Sequence, residues 1–211
     1  MAFMRKTSEE RRQEIAAATL HIVGEFGVEG ATMARIADAV GISGPALYKH
    51  YSGRTEILEG AMDLLLQRVV AWLDSSTNPN ALERLRELGD THAATMTTDR
   101  EGVVAPLFEF AAAGHRSNLT SQMAERTRAT LAKLTAIIEE GRDQGTIRAD
   151  VDVRLVAWSF LGLTWVENLA GAEGMAEEFV GTGVSARMLD KILTDIAAPG
   201  DDSGRAHSQD C

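Results

Sequence analysis

The sequence predicts an all-α protein, and three features support this fold class. Apolar residues recur every three or four positions through most of the chain, which is the period of an amphipathic helix. Runs in which β-branched and polar residues alternate are rare, so strands are not expected. Glycine, proline and capping residues separate the periodic segments. We expect about nine helices in two domains, a three-helix N-terminal domain and a larger helical C-terminal domain.

The first helix is predicted to begin at a capping box. Thr7 and Glu10 stand three residues apart, the spacing at which each side chain binds the backbone N–H of the other residue. One apolar stripe follows, formed by Ile15, Ala18, Ile22 and Phe26. Gly27 and Gly30 are expected to end the helix.

Two short helical segments follow, with a break between them. Thr32 is placed to cap the first segment, which runs to about Val40. Its inward residues are Ile36, Ala37 and Val40. The break is Gly41-Ile42-Ser43, and a second segment covers about 44 to 51. Pro45 lies in the first turn of that segment, where a missing N–H is tolerated.

A longer helix is predicted from Arg54 to about Leu73, linking the two domains. Asn78 is the expected N-cap of the next helix, with Pro79 at its first position. The remaining helices are predicted near 79–97, 101–114, 118–144, 153–171 and 185–197. Pro106 falls within one of them, so that helix either starts there or is kinked.

Two segments are expected to be irregular. The stretch from Gly171 to Ser185 is predicted to be a loop with one helical turn. Beyond Pro199 the chain is polar and aperiodic, which predicts disorder. The expected domains are therefore 1–54 and 55–198, followed by a disordered tail at 199–211.

The charge balance restricts the possible partners. The chain has 21 Lys and Arg against 31 Asp and Glu, a net charge of -10. Most of the surface should therefore repel nucleic acid and anionic membrane, and any nucleic-acid contact needs a local basic face. No run approaches the roughly 18 apolar residues of a membrane span, and the start lacks the apolar core of a signal peptide. We expect a cytoplasmic protein with no membrane partner.

Motifs for catalysis and for metal binding are lacking in the sequence. Cys211 is the only cysteine, which excludes an intrachain disulfide and a thiolate metal cage. The sequence has no Glu-x-x-His or His-Glu-x-x-His pair, no phosphate-binding loop and no nucleophile elbow. We therefore expect no catalytic residues, no metal and no cofactor, and a helical enzyme is the alternative of a different class.

The segment from Thr32 to Tyr51 has the build of a helix-turn-helix. Such a unit needs glycine where the backbone leaves the first helix and a small hydroxyl residue where the second begins, and Gly41 and Ser43 fit these places. The second helix of such a unit enters the major groove of DNA. Ile42 and Leu47 are expected to face the opposite way, into the core.

The predicted DNA contacts lie in and around this second helix. Small residues allow close approach, hydroxyl groups donate to phosphate, and cations attract it. Thr32 lies at a helix N-terminus, which suits a phosphate oxygen. The candidate DNA-binding residues are Thr32, Arg35, Ser43, Gly44, Pro45, Ala46, Tyr48, Lys49, His50 and Arg54.

These residues match a known pattern. The pattern is Thr32-Met33-x-x-Ile36-Ala37-x-x-x-Gly41-Ile42-Ser43-x-x-x-Leu47-Tyr48-x-His50-Tyr51-x-x-Arg54-x-x-Ile57-Leu58. It resembles the DNA-binding domain of TetR-family regulators, and the match runs from roughly Glu10 to Leu58. The segment from Ile138 to Asp152 is similar to the turn between the seventh and eighth helices of many members.

Departures from the family pattern and the charge of residues 1–60 bear on DNA binding. The family often has lysine where this chain has Gly44 and at the position of Arg54, and Gly53 stands where a capping serine is common. Residues 1–60 hold seven basic and eight acidic residues. A protein that keeps the helix-turn-helix but has lost DNA affinity is thus a third alternative, although Arg5 and Lys6 with Lys49 and Arg54 are expected to form one basic face.

The resemblance implies a homodimer built by the last two helices and a pocket enclosed by the preceding ones. Periodicity alone leaves open whether the apolar residues below fill the protomer core instead. The candidate interface residues are Trp158, Leu161, Leu189, Ile192, Leu193 and Ile196. The candidate pocket residues are Trp72, Met96, Phe108, Phe110, Met123 and Trp165. The expected function is repression from a palindromic double-stranded operator, with release by a small, largely apolar effector.

Overall fold

The computed structural model describes residues 7–98, 104–113 and 119–199, and most of the residues in these ranges are helical. The α-helices are α1 Ser8–Gly30, α2 Met33–Val40, α3 Gly44–Leu47, α4 Arg54–Leu73, α5 Ala81–Thr98, α6 Val104–Ala113, α7 Leu119–Gln144, α8 Val153–Ala172 and α9 Val184–Ile196. A π-helical turn at Glu177–Gly181 lies between α8 and α9. Within the described ranges, the only β-type pairing is an isolated antiparallel bridge. The all-α prediction is confirmed, whereas residues 200–211 of the predicted disordered tail lie outside the described residues.

Helix α1 begins at the predicted capping box. The backbone N–H of Glu10 donates to Thr7 Oγ1 at 3.2 Å, and the backbone N–H of Thr7 donates to Glu10 Oε2 at 2.7 Å. Helix α1 ends at Gly30, one of the two predicted glycines, whereas the other, Gly27, forms a kink with a φ of 71° after which the helix resumes. Because the chain turns there, Phe26 does not join the buried stripe. Its side chain is 47 % exposed, and the Arg35 guanidinium lies 4.2 Å above its ring.

The cap of α5 differs from the predicted one by two residues. Asn80 Oδ1 accepts from the backbone N–H groups of Leu82 at 2.9 Å and Glu83 at 3.3 Å. Asn78 Oδ1 instead accepts from the backbone N–H of Asn80 at 3.0 Å, which forms the turn before the helix. The sequence offers two asparagines that suit an N-cap, and the turn at Asn78 leaves that role to Asn80.

Buried side chains form two hydrophobic clusters, and α4 contributes to both. The first cluster joins α1, α2, α3 and α6 to the N-terminal two thirds of α4. The second joins the end of α4 to α5, α7, α8 and α9. The first cluster thus continues past residue 54, because Ile57 to Leu66 of α4 and Phe110 of α6 belong to it. Motion of α4 or α6 must therefore disturb the packing of the N-terminal helices.

Helix α6 packs closely on α1 at two glycines. A Cβ atom at Gly24 would lie 3.2 Å from Pro106 Cδ, and one at Gly27 would lie 2.9 Å from Glu109 Oε2. Pro106 falls in the first turn of α6, where its missing N–H costs little. The two glycines therefore form a groove on α1 that receives one face of α6.

The turn between α7 and α8 lies at the position that the resemblance implies. Gly145 adopts a φ of 73°, and Asp152 caps α8 by accepting from the backbone N–H of Arg154 at 3.0 Å. Arg148 N donates to Ile196 O at 2.9 Å, beside the bridge between Ile147 and Ala197. These bonds join the turn to the C-terminal end of α9.

Candidate nucleic-acid interface and interior cavity

The break between α2 and α3 depends on the backbone of Gly41. Its φ of 70° and ψ of 35° are left-handed, and no atom lies within 4 Å of the position that a Cβ would take. Glycine is therefore favoured by the backbone conformation and not by lack of space. The N–H of Ile42 donates to Ala37 O at 3.0 Å, which satisfies a carbonyl at the end of α2.

Helix α3 turns one face inward and the other outward. Leu47 is fully buried, and Ile42 packs against the same cluster, as predicted. Tyr48 is 59 % exposed, and Ser43, Pro45 and Lys49 are also exposed. The α-helix is shorter than the predicted 44–51, because it ends at Leu47 and continues as turns to His50.

The outward face of α3 carries polar groups that do not bond to the rest of the N-terminal domain, which comprises α1 to α3 and is called the head below. Ser43 makes no side-chain capping bond, and Lys49 has no ion-pair partner among the described residues. Gly44 has open space where a Cβ would lie, and Gly44 and Ala46 are half-buried. At the start of α2, exposed Thr32 uses its hydroxyl to accept from the backbone N–H of Arg35 at 3.2 Å. The face thus offers the cation of Lys49 and the hydroxyl groups of Ser43 and Tyr48 to an anionic partner.

Three more of the predicted DNA-binding residues, Arg35, His50 and Arg54, have side-chain contacts inside the protein. Arg54 Nε donates to Ala31 O at 2.9 Å, and its Nη2 donates to Val28 O. Arg35 Nη1 donates to Gly30 O at 2.6 Å. The guanidinium groups of Arg35 and Arg54 therefore stabilise the C-terminal end of α1, a role that their prediction as DNA-binding residues did not include.

His50 is the third of these residues. Its Nδ1 lies 3.3 Å from Ser8 Oγ, and its carbonyl oxygen accepts from Arg12 Nη1. Both contacts join the end of the α3 segment to the start of α1, which restricts the directions in which the exposed face can move.

A network that the sequence did not reveal holds the α3 segment against α1 and α4. The Arg12 guanidinium lies 4.0 Å above the ring of Tyr51, and its Nη2 donates to Glu56 Oε1 at 3.0 Å. Tyr51 Oη donates to Arg12 O at 3.0 Å, and the backbone N–H of Ser52 donates to Glu56 Oε2 at 2.6 Å. These bonds from Ser52 and Arg12 lower the pKa of Glu56 to about 2. The sequence motif contains Tyr51, but it does not reveal that Arg12 is the partner of Tyr51.

A cavity of about 300 Å³ lies between α4, α5, α6, α7 and α8. Four of the predicted pocket residues line it: Trp72, Met96, Met123 and Trp165. Phe108 is outside the wall and packs edge-on against Trp165, with ring centroids 5.8 Å apart. Phe110 is fully buried in the first cluster, so the prediction that it lines the pocket does not fit the structure. The remaining lining residues are Leu66, Arg68, Val69, His92, Thr95, Leu107, Arg126, Thr127, Thr130, Leu161, Thr164 and Asn168.

Several polar groups at this wall were not among the predicted pocket residues. Asn168 is 6 % exposed, and its Oδ1 atom makes no hydrogen bond. Arg126 donates through Nη2 to Asp63 of α4. His92 Nδ1 lies 2.5 Å from Glu167 Oε2, and the buried Glu167 also accepts from Ser185 Oγ. The available signal was the spacing of Leu161, Thr164, Trp165 and Asn168, which places polar and apolar residues on one face of α8.

The predicted interface residues fall into two groups. Leu161, Leu189, Leu193 and Ile196 are buried inside the protomer, so the structure contradicts the expectation that they face a partner. Ile192 is half-buried against the second hydrophobic cluster. Trp158 is 54 % exposed. It belongs to an outward apolar row on α8 that also contains Leu155, Val166 and Leu169.

No helix in the described ranges is long and apolar enough to cross a membrane. Likewise, the described residues contain no group of three or more histidine, cysteine or acidic side chains arranged to hold a metal ion. Arg5 and Lys6, predicted to extend the basic face, lie outside the described residues.

Two family models match the chain. The model described as bacterial regulatory proteins, tetR family, matches residues 15–61. The model described as tetracyclin repressor-like, C-terminal domain, matches residues 78–167. The first range contains the helix-turn-helix, and the second contains most of the residues around the cavity.

Relatives and solved structures agree with these matches. The chain is 28 % identical over 160 residues to the transcriptional repressor KstR2 of Mycobacterium tuberculosis, which covers 74 % of this chain and 78 % of that protein. It is 26 % identical over 194 residues to the transcriptional repressor AcnR of Corynebacterium jeikeium, covering 90 % and 94 % of the two chains. A TetR transcription regulator from Haloarcula marismortui has the same fold, with a TM-score of 0.77 at 22 % identity over 90 % of this chain and 99 % of that one. This protein therefore belongs to the TetR family of DNA-binding transcriptional regulators.

Proposed function

We propose that the protein is a repressor that binds a palindromic operator as a homodimer and is released by a small, largely apolar effector. The observation that carries the proposal is the outward face of α3, where Ser43, Tyr48 and Lys49 are exposed while Leu47 anchors the helix from behind. The names of KstR2 and AcnR, both repressors, favour repression over activation. The site of action would be the chromosome in the cytoplasm, and the proposal includes no catalytic activity.

In this proposal the exposed face of α3 lies in the major groove of the operator. Tyr48 and Ser43 donate to phosphate, Lys49 supplies charge, and Gly44, Pro45 and Ala46 allow close approach to base edges. Thr32 and the N-terminus of α2 approach a second phosphate. Arg35, His50 and Arg54 act mainly by holding this face in position, because each has a contact within the head.

The proposed dimer interface is the outward apolar row of α8. Leu155, Trp158, Val166 and Leu169 are separated by steps of three, eight and three residues, which places them on one side of the helix. Gly162 lies between Trp158 and Val166 with open space above it, so another helix can approach closely there. Met188 of α9 is exposed and extends the apolar surface to the last helix. Two copies of α8 and α9 would form a four-helix interface.

The proposed route from effector to DNA runs through α6 and α4. Leu107 of α6 lines the cavity, while Pro106 and Glu109 of the same helix contact the groove of α1. Leu66, Val69 and Trp72 of α4 also line the cavity, and the N-terminal part of α4 packs in the head. An effector that moves either helix changes the position of the head, so binding in the cavity and binding to DNA are coupled. We assign 1–54 to the DNA-binding domain and 55–198 to the effector-binding and dimerisation domain.

To test the proposal, genomic fragments that bind to the purified protein are selected, and the fragment with the highest affinity is footprinted. A protected pseudo-palindrome with half-sites about one helical turn apart is the expected result. The double variant Tyr48→Ala, Lys49→Ala should weaken binding to that fragment at least about tenfold, because it removes one cation and one hydroxyl from the groove face.

Arg148→Ala is the matched control for charge. It also removes one cation, but Arg148 lies in the turn after α7 and pairs with Asp150 at 3.0 Å. Equal loss of affinity in the control and the double variant would remove α3 as the recognition element. Sequence-independent binding by the unmodified protein would instead favour the alternative in which the head has lost specific DNA recognition.

A further inference from the structure

Basic side chains line part of the cavity wall. Within the described residues, the side chains that line it include Arg68, Arg126 and His92 but no aspartate or glutamate. This is unusual for a protein whose acidic residues outnumber its basic ones by 31 to 21. Arg68 and Arg126 give this wall two guanidinium groups that can bind an anion, whereas the ring of His92 lies 2.5 Å from the carboxylate of Glu167.

Arg126 is the cation whose surroundings are best defined. Its Nη2 donates to Asp63 Oδ1, which is the one hydrogen bond of its guanidinium among the described residues. A guanidinium has five N–H donors in a planar fork, so donors remain for a second anion. Asp63 lies on α4 and Arg126 on α7, and the pair therefore connects a cavity-lining helix to the helix that follows the recognition segment.

Asn168 indicates that the ligand also carries a hydrogen-bond donor. Its side chain lines the cavity and is more than nine-tenths buried, yet its Oδ1 has no hydrogen-bond partner. A buried amide oxygen without a partner is unfavourable, and a group that supplies the missing bond is correspondingly favoured. Because an amide oxygen only accepts, the group that satisfies it must be an N–H or O–H on the body of the ligand and not its acid group.

Much of the remaining wall is apolar. Trp72 and Trp165 provide indole surface, and Met96, Met123 and Leu161 add aliphatic and thioether surface. Four threonines also line the cavity: Thr95, Thr127, Thr130 and Thr164. The volume of about 300 Å³ is at the lower end of the range for small-molecule sites. The cavity therefore suits a compact molecule with one charged end.

We propose that the effector is an apolar carboxylate whose acid group binds Arg126 in competition with Asp63. This inference rests on the proposed function, since it names the class of effector that the cavity takes. When the carboxylate occupies Arg126, the bond between α7 and α4 weakens, and α4 is free to move relative to α7. The ion pair of the ligand-free protein is thus part of the regulatory device.

The test is calorimetric titration of the full-length protein with matched triplets of probes at neutral pH. Each triplet consists of a carboxylate, its primary amide and the corresponding amine. One triplet has a phenylbutyl skeleton, the second an octyl skeleton and the third an indolylpropyl skeleton. At least one carboxylate is expected to bind about tenfold more tightly than its amide, and the amine more weakly still. Failure of every carboxylate to bind, or equal binding of its amide, would overturn the proposal.

Three variants connect the preference to the proposed pair. Arg126→Gln should abolish the preference for carboxylate over amide, whereas Asp63→Asn should strengthen carboxylate binding severalfold by removing the competing anion. Arg128→Gln is the control, because Arg128 is exposed on the same helix and outside the cavity wall. Effects of the same sign at Arg126 and Asp63 would contradict competition and indicate that the pair is only structural.

DNA binding is measured separately on the footprinted fragment. A protein that binds this fragment but shows no carboxylate preference contradicts the effector class and leaves the proposed function standing. A protein that prefers carboxylates in the calorimeter but binds no specific fragment contradicts the proposed function alone.

Discussion

At the scale of single residues, the cations of the head act mainly within the protein. Arg12, Arg35 and Arg54 all donate to main-chain carbonyl oxygens of the head, and Arg12 also pairs with Glu56. A guanidinium suits this role because its planar fork reaches several acceptors at once. Lys49 differs because it has no ion-pair partner in the described part of the chain. A head with little net charge can therefore still present a local cation to DNA.

The network around Glu56 predicts a pH-dependent stability. Its folded-state pKa of about 2 is below the ordinary 4.5, so its contribution to stability is complete above pH 4.5 and is lost as the pH falls toward 2. Glu56→Gln should therefore lower the free energy of unfolding at neutral pH, and the difference from the unmodified protein should shrink in acid. Urea denaturation between about pH 7 and pH 3 measures this difference.

Glu59→Gln is the control for this experiment, because Glu59 lies on the same helix without a hydrogen bond or ion pair in the described structure. Its effect should be small at every pH. A loss of stability in Glu56→Gln that stays constant from neutral to acidic pH would contradict the assignment of the effect to the Glu56 charge.

At the scale of elements, the shortest helix carries the proposed recognition. Helix α3 has four residues and cannot be stable by itself, since its few hydrogen bonds do not offset the cost of nucleation. The buried side chain of Leu47 and the left-handed turn at Gly41 hold it in place. Its orientation is therefore a property of the turn and of the core behind it.

Two glycine substitutions test this view of the turn. Gly41→Ala forces a Cβ into a left-handed conformation and should lower the free energy of unfolding by about 1 kcal/mol. Gly44→Ala is the matched control, because both positions have space for a Cβ but only Gly41 has a positive φ. Urea denaturation of both variants measures the difference. Equal effects at the two positions would show that backbone conformation does not decide the cost at Gly41.

At the scale of the whole molecule, the surface is acidic but carries one concentrated apolar row. The net charge of -10 keeps copies apart, whereas Leu155, Trp158, Val166 and Leu169 expose apolar side chains along α8. An exposed row of this kind is typical of a surface that another protein covers. A dimer formed there would also place two heads in one molecule, as a palindrome requires.

Trp158→Glu tests the proposed dimer. A charge in the centre of the apolar row should shift the protein toward the monomer in sedimentation and weaken operator binding, because a carboxylate without a partner is costly to bury. Val70→Glu is the control, since Val70 is also an exposed apolar residue but lies on α4. A Trp158→Glu protein that sediments as the unmodified one does would exclude α8 as the interface.

Much of the local structure was predictable from short patterns. The capping box at Thr7, the turn at Gly41 and the buried Leu47 each depend on residues close together in the chain. Periodicity placed most helices to within a few residues. The prediction was wrong at the cap of α5, where Asn80 and not Asn78 caps the helix, and it did not distinguish the kink of α1 at Gly27 from the end at Gly30.

The candidate sites were only partly predictable. Trp72, Met96, Met123 and Trp165 line the cavity as expected, but Phe110 does not. Leu189 and Leu193 were expected at an interface and lie in the core. Periodicity identifies the apolar side of a helix without saying whether that side faces the protomer interior, a cavity or another chain.

The sequence by itself determined the helices, the turn of the helix-turn-helix and the family, because these follow from capping, backbone preference and apolar spacing within a few dozen residues. Tertiary structure alone decided which charges are engaged and which polar groups meet at the cavity. Arg126 meets Asp63, and Glu167 meets His92, across more than sixty residues of chain. Such pairs arise when separate helices pack, so their chemistry depends on the three-dimensional arrangement and has no local sequence signal.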